Sequence, residues 1–169
     1  MSNMDITCYF TGHRPQKLPW GFHESDPRCI ALKNNLKKAI WQVVTRYQVT
    51  HFLTGMALGV DQWAAELVIR LKETYPDLGI TLEAVLPCDN QADKWRRDAS
   101  QRYQEILNQC DIVSPLQKGY SPGCMERRNQ YMVDHSKYII AVWDRKPGGT
   151  AGTVRYAQSL GKAVIILAP

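Results

Sequence analysis

The sequence predicts an α/β fold built on a parallel-dominated, doubly wound sheet with helices on both faces. Three observations predict it. Six short apolar runs alternate with five segments of helical periodicity. Two glycine-rich stretches, around Gly55–Gly59 and Gly148–Gly152, each lie between a strand and a helix. The run from Lys137 to Trp143 is almost wholly apolar, as a central parallel strand buried on both faces should be.

Taken in order, Ile6 to Thr11 reads as a first strand, β-branched and aromatic, ending at Gly12. His13 and Arg14 follow at once, which places them on the carboxyl edge of the sheet, where ligands of open α/β sheets bind. Arg14 offers a planar fork of donors for phosphate or carboxylate, with a surface salt bridge as its plain alternative. His13 reads better as a packed loop histidine. The long loop from Pro15 to Ser25 suits a functional flap.

Asp26-Pro27 gives an N-cap with proline at the first helical position, and Leu32, Leu36, Ile40, Val43 and Tyr47 mark a helix over 27–47. Lys33, Lys37 and Lys38 read as its solvated side. Thr50 to Thr54 is the second strand. Gly59 to about Tyr75 is the second helix, broken by Pro76-Asp77-Leu78-Gly79, and Ile80 to Leu86 is the third strand. Asp89 reads as the cap of a short segment holding Trp95-Arg96-Arg97, where the tryptophan could stack on a base or sit under a snorkelling rim. A helix over 98–109 and a brief strand over 111–114 follow. Ser121-Pro122 reads as the start of a helix to about Ser136. Val154 to Leu160 reads as the last helix, and Ala163 to Leu167 closes the sheet.

The totals set bounds. A chain of 169 residues with 44% hydrophobic and 22% charged content suits one soluble domain, here 1–169. No apolar run approaches the roughly 18 residues that span a bilayer, and no secretory signal is visible, so the expectation is cytoplasmic. Five scattered cysteines without a Cys-x-x-Cys pair, and four histidines without ligand spacing, predict neither disulfide nor metal. The net charge of +5 is spread along the chain and asks for no more than a nucleotide-sized anion.

The chemistry concentrates on the glycines. A strand, a tight turn and a helix start aim free N–H groups and a positive helix end at the space above the strand, and the usual guest is a phosphate. The spacing is neither the six-residue dinucleotide fingerprint nor a P-loop. Two such turns on one edge, with hydroxyls from Thr54, Thr150 and Thr153, suit a ligand with more than one anionic or polar group.

Four motifs occur together: Thr11-Gly12-His13-Arg14-Pro15, Thr54-Gly55-Met56-Ala57-Leu58-Gly59-Val60-Asp61, Arg127 and Asn129 with Met132-Val133-Asp134, and Gly148-Gly149-Thr150-Ala151-Gly152-Thr153. In that order the set resembles the YpsA/YoqJ-like branch of the SLOG superfamily, which joins DprA/Smf proteins with LOG phosphoribohydrolases. The resemblance implies a Rossmann-like fold, a nucleotide or ADP-ribose-like ligand and a homo-oligomer. It implies ligand-binding roles for Gly12, His13, Arg14, Thr54, Gly55, Gly59, Asp61, Arg127, Asn129, Gly148, Gly149, Thr150, Gly152 and Thr153.

LOG enzymes are similar at Glu126-Arg127-Arg128, which makes Glu126 and Arg127 the catalytic candidates. They carry a catalytic glutamate one helix turn past their own glycine turn. Here that turn is one residue longer and Arg155-Tyr156 follows. A cation there opposes oxocarbenium chemistry. The expectation is therefore a nucleotide-binding protein or sensor first and a nucleotide N-glycosidase second. A DprA-like module for single-stranded DNA ranks third, because no basic run interleaved with aromatics is present.

Overall fold

A computed structural model describes residues 3–169. The six strands are β1 (Thr7–Gly12), β2 (His51–Thr54), β3 (Thr81–Leu86), β4 (Ile112–Pro115), β5 (Tyr138–Val142) and β6 (Ala163–Leu167). The five helices are α1 (Pro27–Tyr47), α2 (Val60–Thr74), α3 (Arg97–Gln109), α4 (Cys124–Asp134) and α5 (Gly149–Ser159). All five strand pairings are parallel, in the order β4-β3-β2-β1-β5-β6. This is the doubly wound, Rossmann-like sheet that the alternation of elements predicts. The chain steps outward from β1 to β4, then returns to lay β5 on the other side of β1. Right-handed crossovers in opposite directions put their helices on opposite faces.

The strand alternation sorts the core accordingly. Cys8, Phe10, Phe52, Leu82 and Ala84 face one way, against Leu32, Leu36 and Ile40 of α1, Val60, Ala64 and Val68 of α2, and Tyr103 and Ile106 of α3. Tyr9, Leu53, Val85, Ile139 and Ala141 face the other way, against Met132 and Val133 of α4 and Val154 and Ala157 of α5. The Phe10 and Phe52 rings stack 5.5 Å apart across β1 and β2. α1 begins as expected: the Asp26 carboxylate accepts the Arg28 N–H at 2.8 Å, with Pro27 at the first helical position. Lys33, read as merely solvated, donates to Glu24 at 2.7 Å and lies over the Trp63 ring. Trp20 and Trp63 are core residues, whereas Trp41 stays 40% exposed beside Tyr75.

Three expectations are corrected. Asp89 caps no helix. Its carboxylate accepts the Gly119 N–H at 2.9 Å, pinning the loop after β3 to the loop before α4. Residues 87–96 are turns, and Trp95 packs edge-on against Tyr103 at 5.2 Å. α4 begins at Cys124 and not at Ser121, because Gly123 holds φ +79° and cannot continue a helix backwards. α5 begins at Gly149, five residues before the expected Val154, so most of the second glycine stretch is helix. Glycine disfavours helix by about 1 kcal/mol per residue, but burial of Thr150, Ala151 and Thr153 against the sheet outweighs it.

One glycine carries a packing constraint as well as a dihedral one. Gly59 sits at φ +93°, and a Cβ there would lie 2.9 Å from both the His13 carbonyl oxygen and Pro15 Cδ. Both neighbours are backbone or ring atoms with nowhere to go. Gly59→Ala should therefore destabilise the protein by about 2–4 kcal/mol, read as a lowered urea midpoint at unchanged m-value.

Candidate functional site

The reversal of strand order at β1 opens a crevice at the carboxyl ends of β1 and β5. A cleft of about 350 Å³ lies there. Its floor comes from β1 (Tyr9, Thr11 and Gly12) and its near wall from the following loop (His13, Arg14 and Lys17). Ala57 and Asp61 enter from the first glycine turn, Gly149 and Thr150 from the start of α5, and Met125, Glu126, Arg128 and Asn129 from α4. A second cavity of the same size shares Glu126, Asn129 and Gly149 with it. That cavity runs on to Gln130, Gly148, Gly152, Thr153 and Tyr156. The two glycine stretches thus converge on one rim.

The first turn is stapled from within. Thr54 Oγ1 donates to the Asp61 carbonyl at 3.0 Å and accepts the Met56 N–H at 3.2 Å. Gln62 Nε2 donates to the Met56 carbonyl at 3.3 Å, and the Ala57 N–H donates to Asp61 Oδ2 at 3.2 Å. These bonds hold Met56 at φ +59°. Arg128 then reaches over from α4 and donates through Nη1 to the Gly55 carbonyl at 2.8 Å. A Cβ on Gly55 would stand 2.8 Å from Arg128 Cζ, so the contact requires glycine.

The second turn is different. Gly148 takes φ +151°, ψ −169°, a region open essentially to glycine alone. The Gly152 N–H closes back on the Gly148 carbonyl at 3.1 Å. The N–H groups of the first three helical residues, Gly149 to Ala151, have no acceptor within the helix, which is the general condition of a helix start. Gly149 and Thr150 line the cleft, so the partial positive charge of the helix start stands at its edge. Lys17 lies close by, its Nζ 3.2 Å from where a Gly148 Cβ would sit.

The predicted site residues divide into three groups. Gly12, His13, Arg14, Asp61, Asn129, Gly149 and Thr150 line the cleft, and Gly148, Gly152 and Thr153 line its extension. Thr54, Gly55 and Gly59 shape the first turn without lining either cavity. Arg127 lies elsewhere: exposed, it donates to Ser121 Oγ at 2.8 Å and Gln117 Oε1 at 3.1 Å. Its neighbour Arg128, 4% exposed, is the arginine under the cleft. Glu126, the other catalytic candidate, lines both cavities. His13 packs as expected, its Nε2 3.0 Å from Asp144 Oδ1. The Lys146 N–H and His13 together hold the Asp144 carboxyl below its ordinary range.

Sequence reasoning missed Tyr9, Lys17 and Arg128. Two of these had a signal. Arg128 lies four residues before the buried Met132 on one helix face, and Tyr9 alternates out of phase with Cys8 and Phe10.

Asp61 is the perturbed carboxyl of the cleft. Burial pushes its carboxyl up to about 6, against the opposing pull of Arg128, the Ala57 N–H and Arg14. Burial likewise raises the Tyr9 phenol, with the nearby Asp61 charge adding to it. The folded value for Asp61 exceeds its unfolded value, so folding favours the neutral acid. The favourable contribution is full below about pH 4 and is lost as pH rises through about 6. Asp61→Asn should therefore gain up to about 3 kcal/mol in urea unfolding at pH 7.5 and nothing near pH 4. An equal effect at both pH values would remove this reading of Asp61.

Among the described residues, no group of three or more His, Cys, Asp or Glu side chains could hold a metal ion. Among the same residues, no helix is long and apolar enough to cross a membrane. Against known proteins, the family model YpsA, described as the YspA SLOG family, matches residues 8–162. A prophage-derived protein of Bacillus subtilis, YoqJ, is 31% identical over 145 residues, 79% of this chain and 84% of its own length. A UPF0398 protein of Bacillus thuringiensis is 31% identical over 156 residues, 90% of this chain and 82% of its own. Among solved structures, DNA processing protein A of Helicobacter pylori superposes with a TM-score of 0.64 at 18% identity. The match covers 97% of this chain and 66% of that one, and it speaks to the fold. The stapled turn after β2, the helix start after β5 and the match over residues 8–162 have one conclusion: the chain belongs to the YpsA family of the SLOG superfamily.

Proposed function

We propose that the cleft binds a nucleotide or nucleotide-derived ligand through its phosphate, and that the protein acts as a binding module or sensor. One observation carries the reading. Arg14, Lys17 and Arg128 border the same cleft as the start of α5. Three cations and a helix's free N–H groups around one small space form an anion site of the kind phosphates occupy. A volume of about 350 Å³, continuous in its lining with a second of equal size, suits a mononucleotide with room for more. Five free thiols fit a reducing compartment, which supports a cytoplasmic protein.

Mononucleotides, dinucleotides and ADP-ribose screened by thermal shift test the proposal, since a ligand at about 100 times its Kd adds about 2.7 kcal/mol. Arg14→Ala and Lys17→Ala should each weaken binding about five- to tenfold while leaving the unliganded melting temperature unchanged, because both side chains are exposed. No shift with any compound at millimolar concentration would remove the reading. Mass spectrometry of small molecules retained through purification would name the natural ligand.

A hydrolytic second reading has one observation in its favour: two carboxylates, Asp61 and Glu126, border the cleft. N-glycosidic cleavage needs such groups to support oxocarbenium character or activate water. Against it, α5 presents the exposed Arg155, and the Tyr156 hydroxyl is committed to Asp134 at 2.7 Å. The hydrolase reading predicts free base from a nucleoside monophosphate, lost in Glu126→Gln with binding retained. Binding without product leaves the sensor. Single-stranded DNA, named for the Helicobacter pylori neighbour, is a third reading. It predicts affinity for oligodeoxynucleotides falling steeply with salt.

A further inference from the structure

The cleft lining combines opposite chemistries. The start of α5 and the nearby Lys17 supply donors and positive charge. Asp61 supplies acceptors, within the field of Arg128 and Arg14. Asp61 is only 6% exposed, yet its carboxylate receives one hydrogen bond, from the Ala57 N–H. Its neighbours are engaged elsewhere: Arg128 Nε donates to Asn129 Oδ1 at 3.2 Å and Nη1 to the Gly55 carbonyl. The Tyr9 hydroxyl donates to Asn129 Oδ1 at 3.4 Å. Among the described residues, no ion pair joins Asp61 to Arg128 or Arg14.

A carboxylate has about four acceptor positions; the protein fills one of them on Asp61, and the rest open on the cleft. A phosphate cannot fill them, because phosphate oxygens bring negative charge and acceptors. The missing partners are neutral hydrogen-bond donors, and the ligand must bring them on the side away from its phosphate. Adjacent hydroxyls meet that demand best, since two parallel O–H groups can satisfy both carboxylate oxygens at once.

Resting on the phosphate-site reading above, we infer that Asp61 accepts the 2′,3′-hydroxyls of a ribose, making the cleft selective for ribonucleotides. The phosphate then lies toward the start of α5. The second cavity, with the Tyr156 ring and the Asn129 and Gln130 amides, takes the base. Single-stranded DNA, with no 2′-hydroxyl and with its internal 3′-oxygens esterified, offers Asp61 no sugar hydroxyl pair. The inference therefore separates a ribonucleotide sensor from a DNA-binding module that shares its fold.

Titration calorimetry at pH 7.5 tests it, with the four ribonucleoside 5′-monophosphates, their 2′,3′-dideoxy counterparts and inorganic phosphate. At least one ribonucleotide should bind about tenfold or more tightly than its dideoxy counterpart. Asp61→Asn should bring that ribonucleotide down to the dideoxy level without weakening the dideoxy compound. The variant's melting curve, expected at or above the native one, shows that it is folded. Equal binding of the two series overturns the inference and leaves the phosphate site standing. So does a loss in Asp61→Asn shared by both, which assigns the carboxylate to a donor on the base. Failure of every compound, inorganic phosphate included, overturns the phosphate reading and this inference together.

Discussion

The hydrogen bond from Arg128 to the Gly55 carbonyl is the contact on which the site depends. It joins a helix on one face of the sheet to the turn that starts a helix on the other face. A guanidinium that is 4% exposed costs several kcal/mol in lost hydration unless fixed dipoles and nearby charges replace the water. Here the replacements are the Gly55 carbonyl, the Asn129 side chain and the field of Asp61. The same contact excludes any side chain at residue 55 and sets how closely α4 approaches the turn. One interaction thus determines a glycine, a helix position and the charge beneath the cleft.

Asp61 and Arg128 lie near enough to bias each other, yet neither closes on the other as an ion pair. Protein interiors normally remove such a tension by direct contact or by an apolar substitution, since unpaired buried charges are costly. A cleft that keeps both groups, each with capacity left over, is what the proposed ligand reading requires. The internal stapling by Thr54, Gln62 and the Ala57 N–H serves this end. It holds the carboxylate still without satisfying it.

Most of the fold was legible because it rests on period and punctuation. Strand alternation, the Asp26-Pro27 cap and the Pro76 break are local signals, and α1 and β6 follow them to the residue. The errors fell where tertiary packing overrode local preference. Gly149 and Gly152 read as turn because glycine disfavours helix, yet the flanking threonines and Ala151 gain enough burial to draw the helix start back over them. In α4 the phase was lost because its start is set by Gly123 in the left-handed region, a dihedral that composition does not announce. Choosing between Arg127 and Arg128 needed that phase: adjacent helical residues point about 100° apart, one into the cleft and the other toward Gln117.

The convergence of the two glycine stretches follows from topology before chemistry. With β1 at the point where the strand order reverses, the helices after β2 and after β5 lie on opposite faces, and both start on the same edge. Any sheet wound this way brings two positive helix ends toward one crevice. The architecture alone therefore selects anions in general, and a neighbour at 18% identity can share it without sharing a ligand. Selectivity has to come from side chains that the winding does not dictate. Of the groups on this rim, Arg14 and Lys17 add to the charge the helices already supply. Asp61 and Glu126 oppose it, and on the proposed reading the buried Asp61 is where a general anion site becomes a particular one.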